Sequence, residues 1–468
     1  MLTYTLEKGG EVSLYEQLYR YIKGDILSGT LSAGEKLPSK RTLAEHLQVS
    51  VITVKNAYEQ LVAEGYISGV EKRGYFVCDI DRPLTAPKGA VTVEPTEEKT
   101  WFMDFVASST ATEFFPFTTW AKLMRRTILE RDTGLLRSTP STGAAELRRA
   151  IARYLHQFRA MTVSPEQIII GAGTETLYSL LVQLLGREKC YAVEDPGYGK
   201  IGRIYGGNQV AVRYVPLDEA GLSVEKLWQT EADVVHLSPS HHYPTGIVMP
   251  IARRRELLRW AAEGEGRYIL EDDYDSEFRF VGRPIPTLYS VDEHGRVIYL
   301  NTFSKTIAPS IRISYMILPP HLLSVYREKL GFYACTVSAF EQYTLASFLS
   351  EGHFEQHLSR MHKRYHQKRD AVIDCIRRSA LAAEITEQDA GLHFLVRLDT
   401  KMSDEELRRR AAESGLRLAL LSDYYADPTA APHHVLVVNY AGLELENLPE
   451  ALERLGKIIG KGKNCSCD

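Results

Sequence analysis

The stretch VIYLNTFSKTIAPSIRISYMIL, residues 297–318, joins two apolar runs through a polar segment. That segment contains Thr302, Ser304 and Lys305, and Arg312 follows seven residues after the lysine. A short apolar run bounded by polar turn residues is typical of a buried strand. Hydroxyls and an arginine are groups that bind anions. The stretch therefore predicts a strand that ends at a lysine beside an anion site.

Further short apolar runs alternate with helical patterns on the N-terminal side of this stretch. They lie at residues 168–170, 191–193, 234–237 and 268–270. Such alternation predicts an α/β domain whose mainly parallel sheet is covered by helices on both faces. In open sheets of this kind, ligands bind at the carboxyl ends of the strands.

Three of these strand ends are followed by chemically distinctive residues. Gly171-Ala172-Gly173-Thr174 opens a helix, where backbone N–H groups suit a phosphate, although glycines there often serve only a turn. The loop 194–198 ends in Tyr198, an aromatic residue that could equally be packed on the surface. Glu271-Asp272-Asp273-Tyr274 brings together carboxylates that need positive partners, and a metal site is the competing interpretation.

Together, these groups meet the requirements of pyridoxal phosphate (PLP). This cofactor needs a lysine amine, hydroxyls with an arginine and a helix N-terminus for its phosphate, and a carboxylate beside its ring nitrogen. In their order the elements resemble those of fold-type I aminotransferases across residues 101–460. The resemblance implies that Lys305 forms the Schiff base, that Gly173, Thr174, Thr302, Ser304 and Arg312 hold the phosphate, and that Asp272, Tyr274 and Tyr198 contact the ring.

The first eighty residues have a different pattern. Ser13 and Glu16 suggest a capping box before a helix, Ser39 and Ser50 are predicted to cap two more helices, and Gly65 is predicted to stop the last. A hairpin with strands at 66–68 and 75–77 is expected to follow. This segment resembles the winged helix of the GntR family over about residues 11–78. The resemblance implies DNA contacts from Ser39, Lys40, Arg41, Thr53, Lys55, Asn56, Lys72, Arg73 and Gly74.

One position departs from the GntR pattern. That family usually has an arginine directly after the Val-Ser turn, whereas this chain has Val51. Bulk charge gives no separate support for DNA binding, because residues 1–80 carry nine Lys/Arg against ten Asp/Glu. The whole chain has a net charge of −4, which argues against indiscriminate polyanion binding. Any DNA contact must depend on local clusters of cations.

The combination of a GntR-type winged helix with an aminotransferase-like domain resembles the MocR/GabR regulators. The predicted organisation is multidomain: a winged helix-turn-helix domain (residues 1–79), a Pro-containing linker (80–100) and an aminotransferase-like α/β domain with a smaller C-terminal lobe (101–468). In that family the large domain is a homodimer. We expect binding to a double-stranded DNA operator and sensing of PLP itself, or of a small amine, through the Schiff base at Lys305.

An active aminotransferase with an accessory DNA-binding domain is the alternative. Ordinary aminotransferases usually have Asn where this chain has Tyr243, and a transaminase clamps its substrate carboxylate with arginine. At the two positions where the regulators of γ-aminobutyrate use have arginine, this chain has Lys200 and Gly442. We therefore expect no physiological turnover beyond a residual half-reaction. Lys200 and Arg203 are candidate effector anchors.

Other features of the sequence limit the functional class. No apolar stretch is long enough to span a bilayer, and the N-terminus lacks an apolar signal core, which predicts a cytoplasmic protein. Six cysteines in 468 residues do not form a disulfide framework, and no metal-ligand spacing is found among them. No metal is therefore expected.

Overall fold

A computed structural model describes residues 2–7, 12–80, 100–106, 112–279, 285–379, 381, 384–386 and 391–460. The chain divides into two compact units, residues 1–98 and 99–468. Residues 81–99 of the predicted linker lie outside the described part of the chain. Within the described ranges, no helix combines the length and the hydropathy needed to cross a membrane.

The N-terminal unit has three helices and one antiparallel hairpin around a single apolar core. Its elements are α1 (Leu14–Ser28), α2 (Lys40–His46), α3 (Val51–Ala63), β1 (Ile67–Val70) and β2 (Gly74–Val77). The hairpin register runs from Ile67 opposite Val77 to Val70 opposite Gly74. The predicted order of three helices followed by a hairpin is confirmed.

Two of the three predicted helix caps are confirmed. The Ser39 hydroxyl accepts the N–H of Thr42, and the Ser50 hydroxyl accepts the N–H of Thr53 at 3.0 Å. The predicted capping box at Ser13 is wrong. Its side chain makes no capping hydrogen bond, and the Glu16 carboxylate instead accepts from Arg20 one turn further along α1.

The second unit is an α/β domain. Its strands are β3 (Met103–Asp104), β4 (Ile168–Gly171), β5 (Cys190–Asp195), β6 (Ala211–Asp218), β7 (Gly221–Leu222), β8 (Val234–Leu237), β9 (Tyr268–Asp272), β10 (Val297–Thr302), β11 (Ser314–Ile317), β12 (Glu384–Thr386), β13 (His393–Arg397), β14 (Leu416–Arg417) and β15 (Val435–Asn439). Its helices are α4 (Phe117–Arg131), α5 (Ala145–Arg159), α6 (Thr174–Leu185), α7 (Gly199–Gly207), α8 (Val224–Trp228), α9 (Ile251–Glu263), α10 (Leu288–Val291), α11 (Pro320–Leu330), α12 (Ala339–Ser350), α13 (His353–Arg378), α14 (Asp404–Glu413) and α15 (Leu448–Ile458).

The large sheet has the strand order β4-β11-β10-β9-β8-β5-β6-β7. Strands β10, β9, β8, β5 and β6 pair in parallel, whereas β11 is antiparallel to both of its neighbours. The predicted mainly parallel sheet is confirmed. Because Gly171, Asp272 and Thr302 end β4, β9 and β10, the sheet brings these three residues to one edge.

The smaller C-terminal lobe is built on the antiparallel sheet β12-β13-β15. Its core also includes Met103 and Phe105 from the start of the unit, where β3 pairs in parallel with β14. The chain therefore enters the lobe before it forms the large sheet and returns to it after α13.

Candidate cofactor site and DNA-binding surface

The residues predicted to hold the phosphate begin where β4 passes into α6. Gly173 has a φ of 88°, and a Cβ placed on it would lie 2.3 Å from Nη2 of Arg312. The absence of a side chain therefore allows the guanidinium to lie against this turn. Thr174 is the first residue of α6, so the free N–H groups of the first helical turn lie at the same place.

A chain of hydroxyls lies beside this turn. Ser314 donates to Thr302 Oγ1 at 2.8 Å, and Thr302 donates to Ser304 Oγ at 3.0 Å. The Ser304 N–H also donates to Thr302 Oγ1. The antiparallel pairing of β10 with β11 places Thr302 opposite Ser314. The structure therefore orders the predicted hydroxyls and adds Ser314 to them.

Lys305 follows the hydroxyls in a partly buried position. Burial lowers the pKa of its ammonium group to about 8, and the nearby carboxylate of Asp275 acts in the opposite direction. The amine is thus partly neutral near pH 8, and the neutral form is the one that attacks a carbonyl. This is the property that a Schiff-base lysine requires.

Asp272 is buried at the end of β9 with one oxygen paired and one free. Its Oδ2 accepts a short hydrogen bond from the Tyr178 hydroxyl, and Nε2 of His236 lies 3.5 Å from the same oxygen. Its Oδ1 is buried and has no hydrogen-bond partner among the described residues. A buried carboxylate oxygen without a partner is costly, so this atom is suited to a donor brought by a ligand.

The neighbouring carboxylates lie on the other face of the strand, as the alternation of side chains requires. Glu271 accepts the N–H groups of Leu288 and Tyr289 at 2.8 and 2.9 Å. Asp273 pairs with Arg159 and accepts from the Tyr299 hydroxyl. The three acidic residues therefore have separate partners, which argues against the interpretation of this run as a metal site.

Aromatic and histidine side chains form the remaining side of the site. The half-exposed Tyr198 ring packs edge-on to Tyr243, whose hydroxyl bonds that of Tyr424 at 2.8 Å. The Tyr274 hydroxyl lies 3.3 Å from Nδ1 of His241. Ordinary aminotransferases usually have an asparagine at the position of Tyr243, so this chain has an aromatic ring there in place of an amide.

His241 belongs to a buried polar cluster. Its Nδ1 also hydrogen-bonds to Asp275 at 3.0 Å, and its ring packs 4.8 Å from that of His393. Donor atoms of His241, Asp275 and His393 lie within 4.8 Å of one another, a spacing that a metal could use. Nδ1 of His241 and Nε2 of His393 have protein partners, Asp275 and the carbonyl of Pro244, whereas Nε2 of His241 is buried without a hydrogen-bond partner among the described residues.

The predicted effector anchors differ in their surroundings. Lys200 makes a close ion pair with Glu175, and the same carboxylate accepts from Arg312 at 2.9 Å. Arg203 is exposed on α7. Lys200 and Arg312 therefore share one carboxylate, and Gly442, at the position of the other clamp arginine, is exposed and has no side chain.

The predicted DNA contacts lie on α2, α3 and the hairpin. Lys40 lies over the Tyr75 ring and Arg73 over the Phe76 ring, with centroid distances of 5.4 and 5.8 Å. Among the other predicted contacts, the side chains of Arg41, Lys55, Asn56 and Lys72 are exposed, Gly74 begins β2, and Ser39 and Thr53 take part in the helix caps. Lys55 lies 3.6 Å from Glu59, a surface pair that costs little to break.

Several residues of the cofactor site were not predicted from the sequence. They are Tyr178, His236, His241, Asp275, Glu175 and Ser314. Tyr178 and Glu175 lie on α6, His236 on β8 and Ser314 on β11, while His241 and Asp275 follow β8 and β9. A signal for two of them was present, because His241 and Asp275 lie inside the segments 239–246 and 271–278 on which the resemblance was based.

Two protein families match this chain, one in each of the two units of the structure. Residues 107–455 match the family described as aminotransferase class I and II. Residues 14–77 match the family described as bacterial regulatory proteins, gntR family. The two matches define a transcription regulator that joins a DNA-binding helix-turn-helix domain to an aminotransferase-like domain.

Full-length relatives have the same organisation. The chain is 37% identical over 97% of its length to the uncharacterized HTH-type transcriptional regulator YdeL of Bacillus subtilis, 98% of which is covered. It is 32% identical, with 96% of this chain and 94% of the relative covered, to the probable rhizopine catabolism regulatory protein MocR of Rhizobium meliloti. The HTH-type pyridoxine biosynthesis transcriptional regulator PdxR of Corynebacterium glutamicum is 32% identical, with 88% and 89% covered. The chain belongs to the MocR-type transcription regulators.

Solved structures match the second unit. A multiple substrate aminotransferase from Thermococcus profundus superimposes with a TM-score of 0.68 and 25% identity over 78% of this chain and 92% of that one. The α-aminoadipate aminotransferase LysN from Thermus thermophilus gives 0.66 and 26% over 76% and 91%. The predicted fold-type I architecture is confirmed, and this fold family is PLP-dependent.

The residues of this chain fit that cofactor. The unpartnered Oδ1 of Asp272 can accept from a protonated ring nitrogen. The turn at Gly173 leaves room that a Cβ would fill, and Arg312 borders it.

Proposed function

We propose that this regulator holds PLP on Lys305 and that occupancy of the site changes its binding to operator DNA. The buried, unpartnered Oδ1 of Asp272 carries the proposal. A buried carboxylate oxygen without a partner costs free energy, and this one lies at the end of β9, at the edge of the sheet where open α/β sheets bind ligands. A ligand that brings a positively charged ring N–H would satisfy the oxygen.

Bound PLP would supply an aldehyde that condenses with a primary amine. The lowered pKa of Lys305 provides that amine in its neutral form. Arg312, Thr174, Thr302 and Ser304 would hold the phosphate through charge-assisted and hydroxyl hydrogen bonds. Asp272 would keep the ring nitrogen protonated, while Tyr274 and Tyr198 would contact the ring hydroxyl and the ring face.

Sensing is favoured over turnover because this chain lacks both of the arginines that would bind a substrate carboxylate. Lys200 is ion-paired with Glu175, and Gly442 offers no side chain. PLP itself is our preferred signal, with a small amine as the other candidate. The Corynebacterium relative is named as a regulator of pyridoxine biosynthesis, which supports this choice. The response in DNA binding can be no larger than the differential affinity of PLP for the two states of the protein.

We also propose that the regulator acts as a homodimer on a double-stranded operator. Large apolar side chains stand exposed on the second unit, among them Phe117, Leu136 and Phe332 at 69%, 78% and 77%. Apolar side chains of this size are enriched where protein surfaces associate. Light scattering of the full chain should give twice the monomer mass, and the monomer mass at working concentration would contradict this part of the proposal.

The cofactor assignment is tested on purified protein incubated with PLP. The protein should gain a visible absorption band, and borohydride should fix the cofactor on the peptide that contains Lys305. Lys305→Ala should abolish both signals, whereas Lys363→Ala, a change at an exposed lysine of α13, should retain them. A borohydride-stable adduct in Lys305→Ala at the wild-type level would refute the assignment.

A further inference from the structure

Two apolar side chains are exposed on the first turn of α3, the second helix of the helix-turn-helix. Val51 is 46% exposed and Ile52 is 67% exposed. The buried face of α3 is formed by Val54, Ala57 and Leu61. Because each helical residue advances by about 100°, Ile52 lies about 200° from Val54 around the axis, on the side opposite the core. Ile52 therefore makes no contribution to the core of its own unit.

Polar and cationic side chains follow the apolar pair on α3 and also begin α2. Lys55 and Asn56 follow one turn later on α3, and both are exposed. Lys40 and Arg41 begin α2. The Lys40 ammonium lies over the Tyr75 ring in the hairpin at 5.4 Å. Cations on a helix-turn-helix can meet the phosphates of a duplex, whereas Val51 and Ile52 offer no charge to a phosphate.

The hairpin carries a further cation. Arg73 lies over the Phe76 ring. The first turn of α3 differs from these positions because its exposed residues Val51 and Ile52 are apolar.

We propose that Ile52, assisted by Val51, reads the 5-methyl groups of thymines in the major groove. Neither side chain can hydrogen-bond to a base edge, so the pair cannot select guanine as an arginine would. The thymine methyl is the apolar group that a base pair presents in the major groove, and apolar side chains discriminate it by contact. The inference rests on the DNA-binding role of the chain and specifies which chemical group that role detects.

The experiment begins with sites selected from random duplexes by the full-length protein. Each thymine of a selected site is then replaced by deoxyuridine, which lacks only the methyl group. At one or two positions in each half-site, affinity should fall roughly fourfold, the value of one buried methyl group. Loss of a thymine methyl elsewhere in the site should have no effect.

Substitutions in α3 show whether Ile52 is the side chain that detects the thymine methyl group. Ile52→Ala should bind the thymine and deoxyuridine duplexes with equal affinity, because the side chain that detects the methyl is gone. Val62→Ala, at a 40% exposed position near the end of α3, should keep the fourfold difference. Equal changes in wild type and Ile52→Ala would assign the effect to the DNA alone and overturn the inference.

Two other outcomes distinguish a failure of thymine reading from a failure of DNA binding itself. If the protein selects specific duplexes but no deoxyuridine substitution weakens binding, thymine reading is wrong and DNA binding stands. If no duplex is enriched at any salt concentration, both are overturned.

Discussion

Gly173 and Arg312 touch so closely that a Cβ on the glycine would lie 2.3 Å from Nη2 of the arginine. The glycine also has a φ of 88°, which side chains rarely tolerate. The first helical turn of α6 and the guanidinium can share one small space only because this residue has no side chain.

Gly173→Ala should therefore weaken PLP binding by about tenfold or more, since it displaces the guanidinium and strains the turn by roughly 1–3 kcal/mol. Fluorescence or absorbance titration with PLP measures the change. Gly207→Ala is the control, because a Cβ there has no neighbour within 4 Å. Equal PLP affinity in the two variants would mean that the phosphate is held elsewhere.

Asp272→Asn tests the carboxylate at the end of β9. The substitution keeps the size of the side chain and removes the negative charge that would face the ring nitrogen. A hydrogen bond to a charged group contributes about 1.5–3 kcal/mol, so PLP affinity should fall by about 10- to 100-fold. Glu293→Gln, at an exposed residue, serves as the control. An unchanged affinity would remove Asp272 from the site.

The lowered pKa of Lys305 predicts how the rate of cofactor capture depends on pH. Below pH 8 the amine is protonated in the folded protein, so the rate constant should rise with pH and level off above about 8. Asp275 raises the pKa of Lys305, so Asp275→Asn should move the midpoint to lower pH. Stopped-flow absorbance follows the reaction, and a midpoint above 10 would contradict the burial of this lysine.

Arg73→Ala tests the hairpin as a phosphate contact. Removing one such contact should weaken binding to all duplexes and reduce the slope of log affinity against log salt by about one. Arg259→Ala, which removes a cation from an exposed position of α9 in the other unit, should leave the slope unchanged. A wild-type slope in Arg73→Ala would count against a DNA contact from this hairpin.

Much of the fold was predictable from local pattern. Runs at residues 168–170, 234–237 and 297–300 mark buried strands because a strand covered on both faces is mainly apolar, and His236 is the polar exception among them. Ser39 and Ser50 were predictable as caps because a hydroxyl at a helix start satisfies a free N–H. Ser13 was not, because the sequence does not show that Glu16 bonds Arg20 instead.

The candidate cofactor site was predictable only where its residues follow strands in recognisable motifs. Asp272, Thr302 and Lys305 belong to this group. Tyr178 and His236 do not. His236 reaches Asp272 from β8, the neighbour of β9 in the sheet, and Tyr178 reaches it from α6, a helix packed on the sheet. The pairing of Glu175 with Lys200 likewise depends on how α6 and α7 pack, which the sequence does not specify.

The most direct test of the account compares the DNA affinity of one protein preparation before and after loading with PLP. Fluorescence anisotropy on a selected duplex, at fixed salt and without added amines, should show a change of about tenfold or more for wild type. Lys305→Ala should bind with equal affinity in both conditions, because PLP cannot be attached. Identical DNA binding by cofactor-free and loaded wild-type protein, with a change only after an amine is added, would contradict PLP as the signal.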